Sequence, residues 1–380
     1  MDIKSIIAGR LVEARESAKM TQVQVADALG LVRQTYARFE QSQALPDVAQ
    51  LITLTKLFDK PLDYFYESGS DSYRIALRAD DPDLLKPELK NRLIEKLKNI
   101  NDIEQAADKN KVNEYPSSMP IFEATESTLQ EVEDKAYSER NRLGIGNATC
   151  VGDIVSVLES ADIRVIPFSL SAEEGDLLSG FSLFSEKYGP AIFVNNHHSI
   201  PVERQIFSIC HEYAHIIFHR NEYDGPSKKY KTSGRNTSPE EKIANHFAAC
   251  FLMPKDAIRR QFNNAGGGKA YAETIMRLKK VFRVSAASII SRLESTKLIT
   301  KDNSGKLWGY ATLRNWRISE PEPIIEPLSY DKRILELSQK AWFNGTASEG
   351  FIADLLELDR KSLASLLEEW YGELEAQDAI

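Results

Sequence analysis

The chain has 380 residues, of which 42% are hydrophobic and 27% are charged, and its formal net charge is −8. These values are ordinary for a folded globular protein and predict two or three domains. The negative charge argues against nonspecific polyanion binding by the whole molecule, although it is compatible with a local DNA-reading surface. Three cysteines without C-x-x-C spacing argue against a disulfide framework, and no signal peptide or membrane-spanning apolar run is visible. We therefore expect a cytoplasmic protein that is not associated with a membrane.

The first 66 residues have the pattern of a series of short helices. Thr21 is a good N-cap for a helix over residues 22–29, which ends at Gly30, and a further helix is predicted over residues 32–41. A short helix, a turn with glycine and a second helix form the helix-turn-helix unit, whose second helix enters the major groove of DNA. A small four-helix bundle used for dimerisation is the alternative, because the net charge of this segment is near zero.

Residues 9–66 resemble the Xre family of lambda-repressor-like DNA-binding domains over nearly their whole length. The resemblance implies that the partner is a double-stranded operator. It also implies that long bidentate donors on the second helix face base edges, whereas amide and hydroxyl groups near the helix ends face phosphates. The residues that face bases are then Arg33, Gln34 and Arg38, and those near phosphates are Thr21, Gln22 and Gln41.

The middle of the chain begins with a connector and continues with short β-rich runs. Residues 89–107 have a helical apolar stripe laced with Lys and Glu, for which a solvated helix is the default interpretation. Runs at residues 163–168, 179–184 and 191–195 predict a small three-stranded sheet. An edge strand of such a sheet can pair with an extended peptide. We expect the strand ending in Asn195, or the one with Gly180, to serve in this way.

The segment CHEYAHIIFHR, residues 210–220, contains the order His-Glu-x-x-His. On a helix, His211 and His215 lie on one face, where two neutral imidazoles can bind a single Zn²⁺. Glu212 projects beside them and can take a proton from water bound to the ion. The motif alone is short, and two satisfied histidines on an amphipathic helix would produce the same letters.

A second helix is predicted over residues 239–253. Ser238 is a suitable N-cap, Pro239 occupies the first helical position, and Glu240 and Glu241 lie in the first turn. An acid at the start of this helix is well placed to supply a third ligand to the ion.

The two segments RQIFSICHEYAHIIFH and EEKIANHFAACFLMP together resemble the ImmA/IrrE family of zinc metallo-endopeptidases. The resemblance covers roughly the middle third of the chain. It implies a zincin-like α+β domain, Zn²⁺ as cofactor, and Glu212 as the general base. By the same resemblance the metal ligands are His211, His215 and Glu241, with Glu240 as the alternative if the register is shifted by one. Ile243 and Cys210 depart from the family's usual residues, but neither departure removes a ligand.

Several other polar residues near the motif are candidates for supporting roles. His219 lies four residues after His215 on the same helical face, so it could support a ligand or contact substrate. Asn195 and Arg204 are further candidates for these two roles. His197 and His198 lie in the loop after the last β-rich run. They could compete as metal ligands, but an exposed pair in a loop is the preferred interpretation.

These patterns predict a mostly helical α+β protein with an all-helical N-terminal domain, a zincin-like centre and a helical C-terminal region. The predicted divisions are a helix-turn-helix domain at 1–68, a connector at 69–140, a peptidase domain at 141–262 and a helical region at 263–380. The apolar positions of the last region are expected to serve packing or homodimer formation.

The functional hypothesis is a DNA-binding transcriptional regulator that is also a zinc-dependent endopeptidase. By resemblance, its substrate is a protein regulator, such as a repressor or an antitoxin partner, cut in a stress, phage or mobile-element response. The alternatives are a regulator that keeps the peptidase fold as a sensor without cleavage, and an antitoxin that neutralises a partner by binding.

Overall fold

The computed structural model describes residues 3–18, 20–58, 60, 62–66, 76–79, 87–108, 115–171, 178–185, 188–220, 237–266, 271–316 and 319–378. The chain divides into two compact units, Met1–Arg74 and Ile75–Ile380. Across the described ranges, no helix combines the length and the apolar character needed to cross a bilayer.

The described residues of the first unit form short helices around one apolar core. The elements are α1 (Ile3–Ser17), α2 (Gln22–Ala28), α3 (Arg33–Glu40), α4 (Val48–Phe58) and a 3-10 turn (Leu62–Phe65). Thr21 and Gln24 form a capping box at the start of α2, because each side chain bonds the backbone N–H of the other. Gly30 turns the chain between α2 and α3 with a φ of +68°, a conformation that glycine adopts without strain. Leu11, Tyr36 and Leu54 lie at the centre of the core.

A four-stranded sheet lies in the described part of the second unit. Its strands are β1 (Ala76–Ala79), β2 (Arg164–Phe168), β3 (Gly180–Ser185) and β4 (Gly189–Asn195), in the order β1-β3-β4-β2. β3 is antiparallel to both β1 and β4, whereas β2 is parallel to β4. The last three strands follow the predicted β-rich runs closely. β1 was not predicted. Both β3 and β4 lie inside this four-stranded sheet, so the expectation that one of these two strands is an exposed substrate-binding edge is wrong for the sheet as it stands.

The rest of the second unit is helical. Its helices are α5 (Pro87–Ala107), α6 (Glu126–Arg142), α7 (Ile154–Glu159), α8 (Val202–Phe218), α9 (Pro239–Leu252), α10 (Lys255–Asn264), α11 (Tyr271–Phe282), α12 (Ala286–Ser295), α13 (Lys301–Leu313), α14 (Lys332–Phe343), α15 (Glu349–Leu355) and α16 (Arg360–Asp378). The predicted fold class, helical with a small sheet, is therefore confirmed.

Helix α8 is the centre of the second unit. It packs against β3 and β4 on one side and against α9 on another, and α9 in turn packs against α6. Every residue from Ile209 to Phe218 except His211 is buried, so α8 is covered on nearly all sides. A helix that is apolar all round is stable only in such a position. Any polar side chain on this part of α8 must therefore find its partners inside the protein.

Two buried arginines bind the C-terminal end of α9. The Arg140 guanidinium, from α6, donates to the carbonyl oxygen of Phe251 and, from Nε at 2.9 Å, to that of Gly146. Arg292, from α12, donates from Nε to the carbonyl oxygen of Met253 at 2.9 Å. The last carbonyls of a helix have no partner within the helix, and these arginines supply one.

The helix predicted over residues 89–107 is packed rather than solvated on its apolar side. Leu97 and Ile103, on α5, have no exposed surface, and α5 packs against α14. The carboxylate of Glu104, also on α5, bonds Arg164 of β2 and accepts a hydrogen bond from Arg333 of α14 at 2.8 Å. The expectation of a solvated helix is therefore wrong for this face, because α14 covers it.

Candidate metal centre and nucleic-acid interface

Three side chains from α8 and α9 converge on one point. His211 and His215 lie one turn apart on α8, and their Nε2 atoms are 3.0 Å from each other. Glu241, on α9, places one carboxylate oxygen 3.1 Å from Nε2 of His211 and the other 3.3 Å from Nε2 of His215. His215 and Glu241 are almost completely buried, whereas the side chain of His211 keeps 11% of its surface exposed. The arrangement therefore opens outward on the His211 side.

The start of α9 determines which acid reaches this point. The Ser238 side chain accepts a hydrogen bond from the backbone N–H of Glu241, and Pro239 lies in the first turn, so Glu241 is the third helical residue. Burial opposes ionisation of Glu241, but positive charge on the neighbouring His215 and His211 outweighs it and holds the pKa of the carboxyl well below the usual range. A cation at this point, either a proton on the imidazoles or a metal ion, therefore keeps Glu241 ionised. Glu240, the alternative ligand from the sequence, is outside this cluster.

The partners of the two imidazoles define which nitrogen carries the proton. Nε2 of His219 contacts the carbonyl oxygen of Ile121 at 3.1 Å, and since a carbonyl only accepts, this nitrogen donates. In a neutral ring, Nδ1 of His219 is then the acceptor for Nδ1–H of His215, 2.8 Å away. Nδ1 of His211 donates in the same way to Oδ1 of Asn245 at 3.1 Å. Both Nε2 atoms therefore present lone pairs to Glu241.

This donor set fits a metal ion. With both rings neutral, two imidazole lone pairs and a carboxylate face one another at distances of 3.0 to 3.3 Å, and a cation bound among them would remove their mutual repulsion. Tetrahedral Zn²⁺ with ligands at about 2.0–2.1 Å places neighbouring ligand atoms about 3.3 Å apart. Buried partners that fix the tautomer of a ligating histidine are a regular feature of zinc sites.

Glu212 lies beside the triad and is held by the sheet. It is 4% exposed, and its Oε2 accepts a hydrogen bond of 2.8 Å from the hydroxyl of Ser182 on β3. Gly180 lies two residues before Ser182 on the same face of β3. A Cβ at this position would lie 2.8 Å from the carbonyl oxygen of Phe193 and 3.5 Å from Cγ of Glu212. The absence of a side chain at Gly180 therefore lets Glu212 lie close to β3. The sequence did not single out Ser182, because its role depends on the pairing of β3 beside α8.

The three supporting candidates from the sequence lie in different places. His219 has no exposed surface and contacts His215, so it supports a ligand and is too deeply buried to contact substrate. The amide of Asn195 bonds the backbone of Leu170 and Leu178, so it holds a loop and is not directed at substrate. Arg204 is exposed two helical turns before His211.

A second group of potential ligands lies at the other end of α9. Glu133, His246 and Cys250 place one ligand atom each within 4.8 Å of one another. The Arg292 guanidinium is 3.0 Å from Glu133, whose carboxylate also accepts a hydrogen bond from Tyr137. Burial raises the pKa of the Cys250 thiol to about 12, which keeps it protonated. Because Arg292 already supplies the positive charge, we interpret this group as a polar contact between helices.

The polar face of α3 presents the residues expected to contact DNA. Arg33, Gln34 and Arg38 are exposed on α3, and Gln41 is exposed at its C-cap. Gln22, on α2, is half-buried and is tied to α3, since its amide donates to Glu40 at 2.8 Å and accepts from Nε of Arg33 at 3.3 Å. These contacts join the two helices of the turn and orient Arg33.

Comparison with known families identifies both regions. The peptidase M78 model, described as the IrrE N-terminal-like domain, matches residues 158–294, and the helix-turn-helix model matches residues 11–65. The chain carries an IrrE N-terminal-like domain behind a helix-turn-helix domain. The resemblances to the ImmA/IrrE and Xre families are thereby confirmed. The IrrE N-terminal-like domain includes α8 and α9, and hence all three members of the triad and Glu212.

Two individual proteins are similar to parts of the chain. The "Uncharacterized HTH-type transcriptional regulator YqaE" of Bacillus subtilis (strain 168) is 34% identical over 61 residues, which is 16% of this chain and 53% of that protein. The chain therefore spans about half the length of this curated relative. The apo form of the competence regulator ComR from Streptococcus vestibularis matches at 13% identity over 89% of this chain and 99% of the other, with a TM-score of 0.17. A TM-score this low carries no argument about the fold.

Proposed function

We propose that this chain is a DNA-binding transcriptional regulator whose IrrE N-terminal-like domain is a zinc-dependent endopeptidase. The observation that carries the enzymatic part is the tautomer arrangement. Asn245 and His219 fix both imidazoles so that two Nε2 lone pairs and the Glu241 carboxylate meet at the spacing of zinc ligands. A family match supports a peptidase fold, and this arrangement supports a metal site in this chain.

His211, His215 and Glu241 would hold the ion. When bound, zinc would supply Lewis acidity, which activates water and polarises a peptide carbonyl. Glu212 would accept the proton of the attacking water and deliver it to the leaving amine. The Ser182 hydroxyl orients the Glu212 carboxylate through Oε2, which keeps the base at one position.

The substrate that we propose is a protein regulator, such as a repressor or an antitoxin partner, cut in a stress, phage or mobile-element response. The support is the combination of domains, because a helix-turn-helix domain in the same chain can direct the peptidase to proteins that act at an operator. The name of the Bacillus relative, a transcriptional regulator, supports the regulatory part.

Metal analysis together with cleavage tests the enzymatic proposal. The wild-type protein should bind one zinc ion and cleave a regulator encoded by an adjacent gene. Glu212→Gln should keep the zinc and stop cleavage, because the amide cannot accept the proton. Glu241→Gln should lose zinc, whereas the matched variant Glu240→Gln should keep both zinc and cleavage.

Two results would overturn the enzymatic proposal. The first is unchanged cleavage by Glu212→Gln, which would remove the general base. The second is unchanged zinc affinity in Glu241→Gln, which would place the ion elsewhere.

DNA binding is tested on the exposed face of α3. Duplexes selected from a random pool by the full-length protein provide the operator. Arg33→Ala and Arg38→Ala should each weaken binding to that operator by about 1–3 kcal/mol, the usual range for an arginine that contacts a base. Lys4→Ala and Lys56→Ala, which remove exposed positive charges from α1 and α4, are the matched controls. Equal effects of all four substitutions would show that charge alone, rather than the α3 face, determines binding.

A further inference from the structure

The strand β1 forms the outer edge of the sheet by pairing with β3. The pairing is antiparallel over four residues, with Ala76 opposite Phe184, Leu77 opposite Leu183, Arg78 opposite Ser182 and Ala79 opposite Phe181. On its other side β3 pairs with β4. Both edges of β3 are therefore occupied, and one of them is occupied by the four residues of β1, which begins two positions after the end of the first unit at Arg74.

β3 is also the strand that holds the general base. Ser182 donates to Oε2 of Glu212, and Gly180 lies close to its Cγ. Residues opposite each other in an antiparallel pair have Cα atoms about 4.5–5.5 Å apart. The backbone of β1 at Arg78, opposite Ser182, thus lies one strand away from the residue that orients Glu212.

A strand edge beside a reacting group is a binding site for extended peptides. Without β1, β3 would present a row of unpaired N–H and C=O groups on this side. An extended peptide can join such an edge through main-chain hydrogen bonds, which require no particular sequence. A peptide bound there would follow β3 past Ser182 and Gly180, toward Glu212. β1 occupies that same edge of β3.

We propose that β1 is a built-in substrate mimic, which covers the substrate-binding edge of β3 and must leave before a protein substrate can be bound. The inference rests on the proposed peptidase function and adds its regulation. A pairing of only four residues is marginal by itself, so an extended peptide at high local concentration can replace it.

A labelled peptide tests the proposal without any catalysis. The probe is a fluorescein-labelled peptide of residues 74–81, RIALRADD, added to zinc-free full-length protein. The double variant Leu77→Pro/Arg78→Pro prevents β1 from pairing with β3. Of two adjacent residues in a strand, one directs its backbone N–H toward the neighbouring strand, and proline has no N–H to donate. Fluorescence polarisation should show at least tenfold tighter binding of the probe to this variant than to the wild type. A scrambled peptide of the same composition is the control.

Hydrogen–deuterium exchange gives the second measurement on the same variant. The amides of β3 should exchange faster in the double proline variant and should regain protection when the probe is added. Unchanged DNA binding and circular dichroism show that the variant is folded. A folded variant that binds the probe no better than the wild type would overturn the proposal.

A disulfide provides an independent test if the proline variant does not fold. Ala76→Cys and Phe184→Cys lie opposite each other in the register, and Cys150→Ser removes the exposed native thiol. Oxidation should abolish the residual binding of the probe at high concentration, and reduction by a phosphine should restore it. Equal binding before and after reduction would overturn the proposal. Because neither assay involves zinc or Glu212, a failure of the proposed peptidase activity would be seen separately.

Discussion

His219 offers a direct test of how the proposed metal centre is organised. It is buried behind His215 and connects Nδ1 of that ligand to the carbonyl oxygen of Ile121. His219→Phe keeps an aromatic ring in a pocket where Phe122 and Phe218 lie 6.1 and 6.2 Å from the imidazole. It removes the acceptor for His215, however, so the ligand is free to present the wrong nitrogen.

The expected loss of zinc affinity follows from the usual effect of removing a hydrogen-bond partner of a metal-binding histidine. Removing such a partner typically weakens metal affinity by about 10- to 100-fold, which corresponds to roughly 1.4–2.7 kcal/mol. His219→Asn should lose less, because its Oδ1 can take the place of Nδ1 and accept from His215. The carbonyl of Ile121 loses its donor in the Phe variant, which costs about 1–3 kcal/mol of folding free energy. Zinc affinity must therefore be measured on protein that is shown to be folded.

The assay is a competition for zinc against a chromophoric chelator at fixed pH, with circular dichroism of the metal-free protein as the check on folding. His197→Phe, a substitution of a histidine in a loop away from the triad, is the matched control and should leave the affinity unchanged. Two results would refute the reasoning: wild-type affinity in His219→Phe, or equal losses in the Phe and Asn variants.

Two further predictions concern buried charges away from the metal centre. Lys279 bonds Glu203 at 2.7 Å with both side chains buried, so Lys279→Met should cost about 3–5 kcal/mol in urea unfolding. The double variant Lys279→Met/Glu203→Gln should recover part of this lost stability, because it no longer leaves a buried carboxylate without its cation. Equal stability of the single and double variants would show that the ion pair does not determine the loss. Burial raises the pKa of Glu159 from 4.5 to about 8. Between pH 4.5 and pH 8 the carboxyl is therefore protonated in the folded protein but ionised in the unfolded chain. The unfolding free energy should therefore fall from pH 5 to 8 by up to about 1.4 kcal/mol per unit, and thermal melts of Glu159→Gln should lack this slope.

The clustering of the three proposed metal ligands could be predicted from the sequence because it depends on local geometry. The spacing of His211 and His215 places both rings on one face of any helix, and the Ser238-Pro239 start determines which turn of α9 carries Glu241. The residues that complete the centre depend on long-range contacts. Asn245 was visible only as a member of the family pattern, and Ser182 acquires its role from the register of β3 beside α8.

The sheet and the connector show the limit of local patterns. The sequence of β1, Ala-Leu-Arg-Ala, has none of the β-branched or aromatic residues that mark strands, and only its partner β3 makes it one. α5 carries a helical stripe that any solvated amphipathic helix could have, and the cover over it comes from α14, more than two hundred residues later. Neither the pairing of β1 with β3 nor the packing of α14 on α5 can be recognised from the residues of β1 or α5 alone.

The arginines at the end of α9 have a consequence for how far the IrrE N-terminal-like domain can be shortened. Arg140 precedes the matched family segment, whereas Arg292 lies almost at its end, and both hold carbonyls of the helix that carries Glu241. A fragment cut at residue 262, the predicted end of the peptidase domain, would lack Arg292 and would leave Glu133 without its cation. Transferring the triad of His211, His215 and Glu241 into another protein would therefore require the flanking helices α6 and α12 as well.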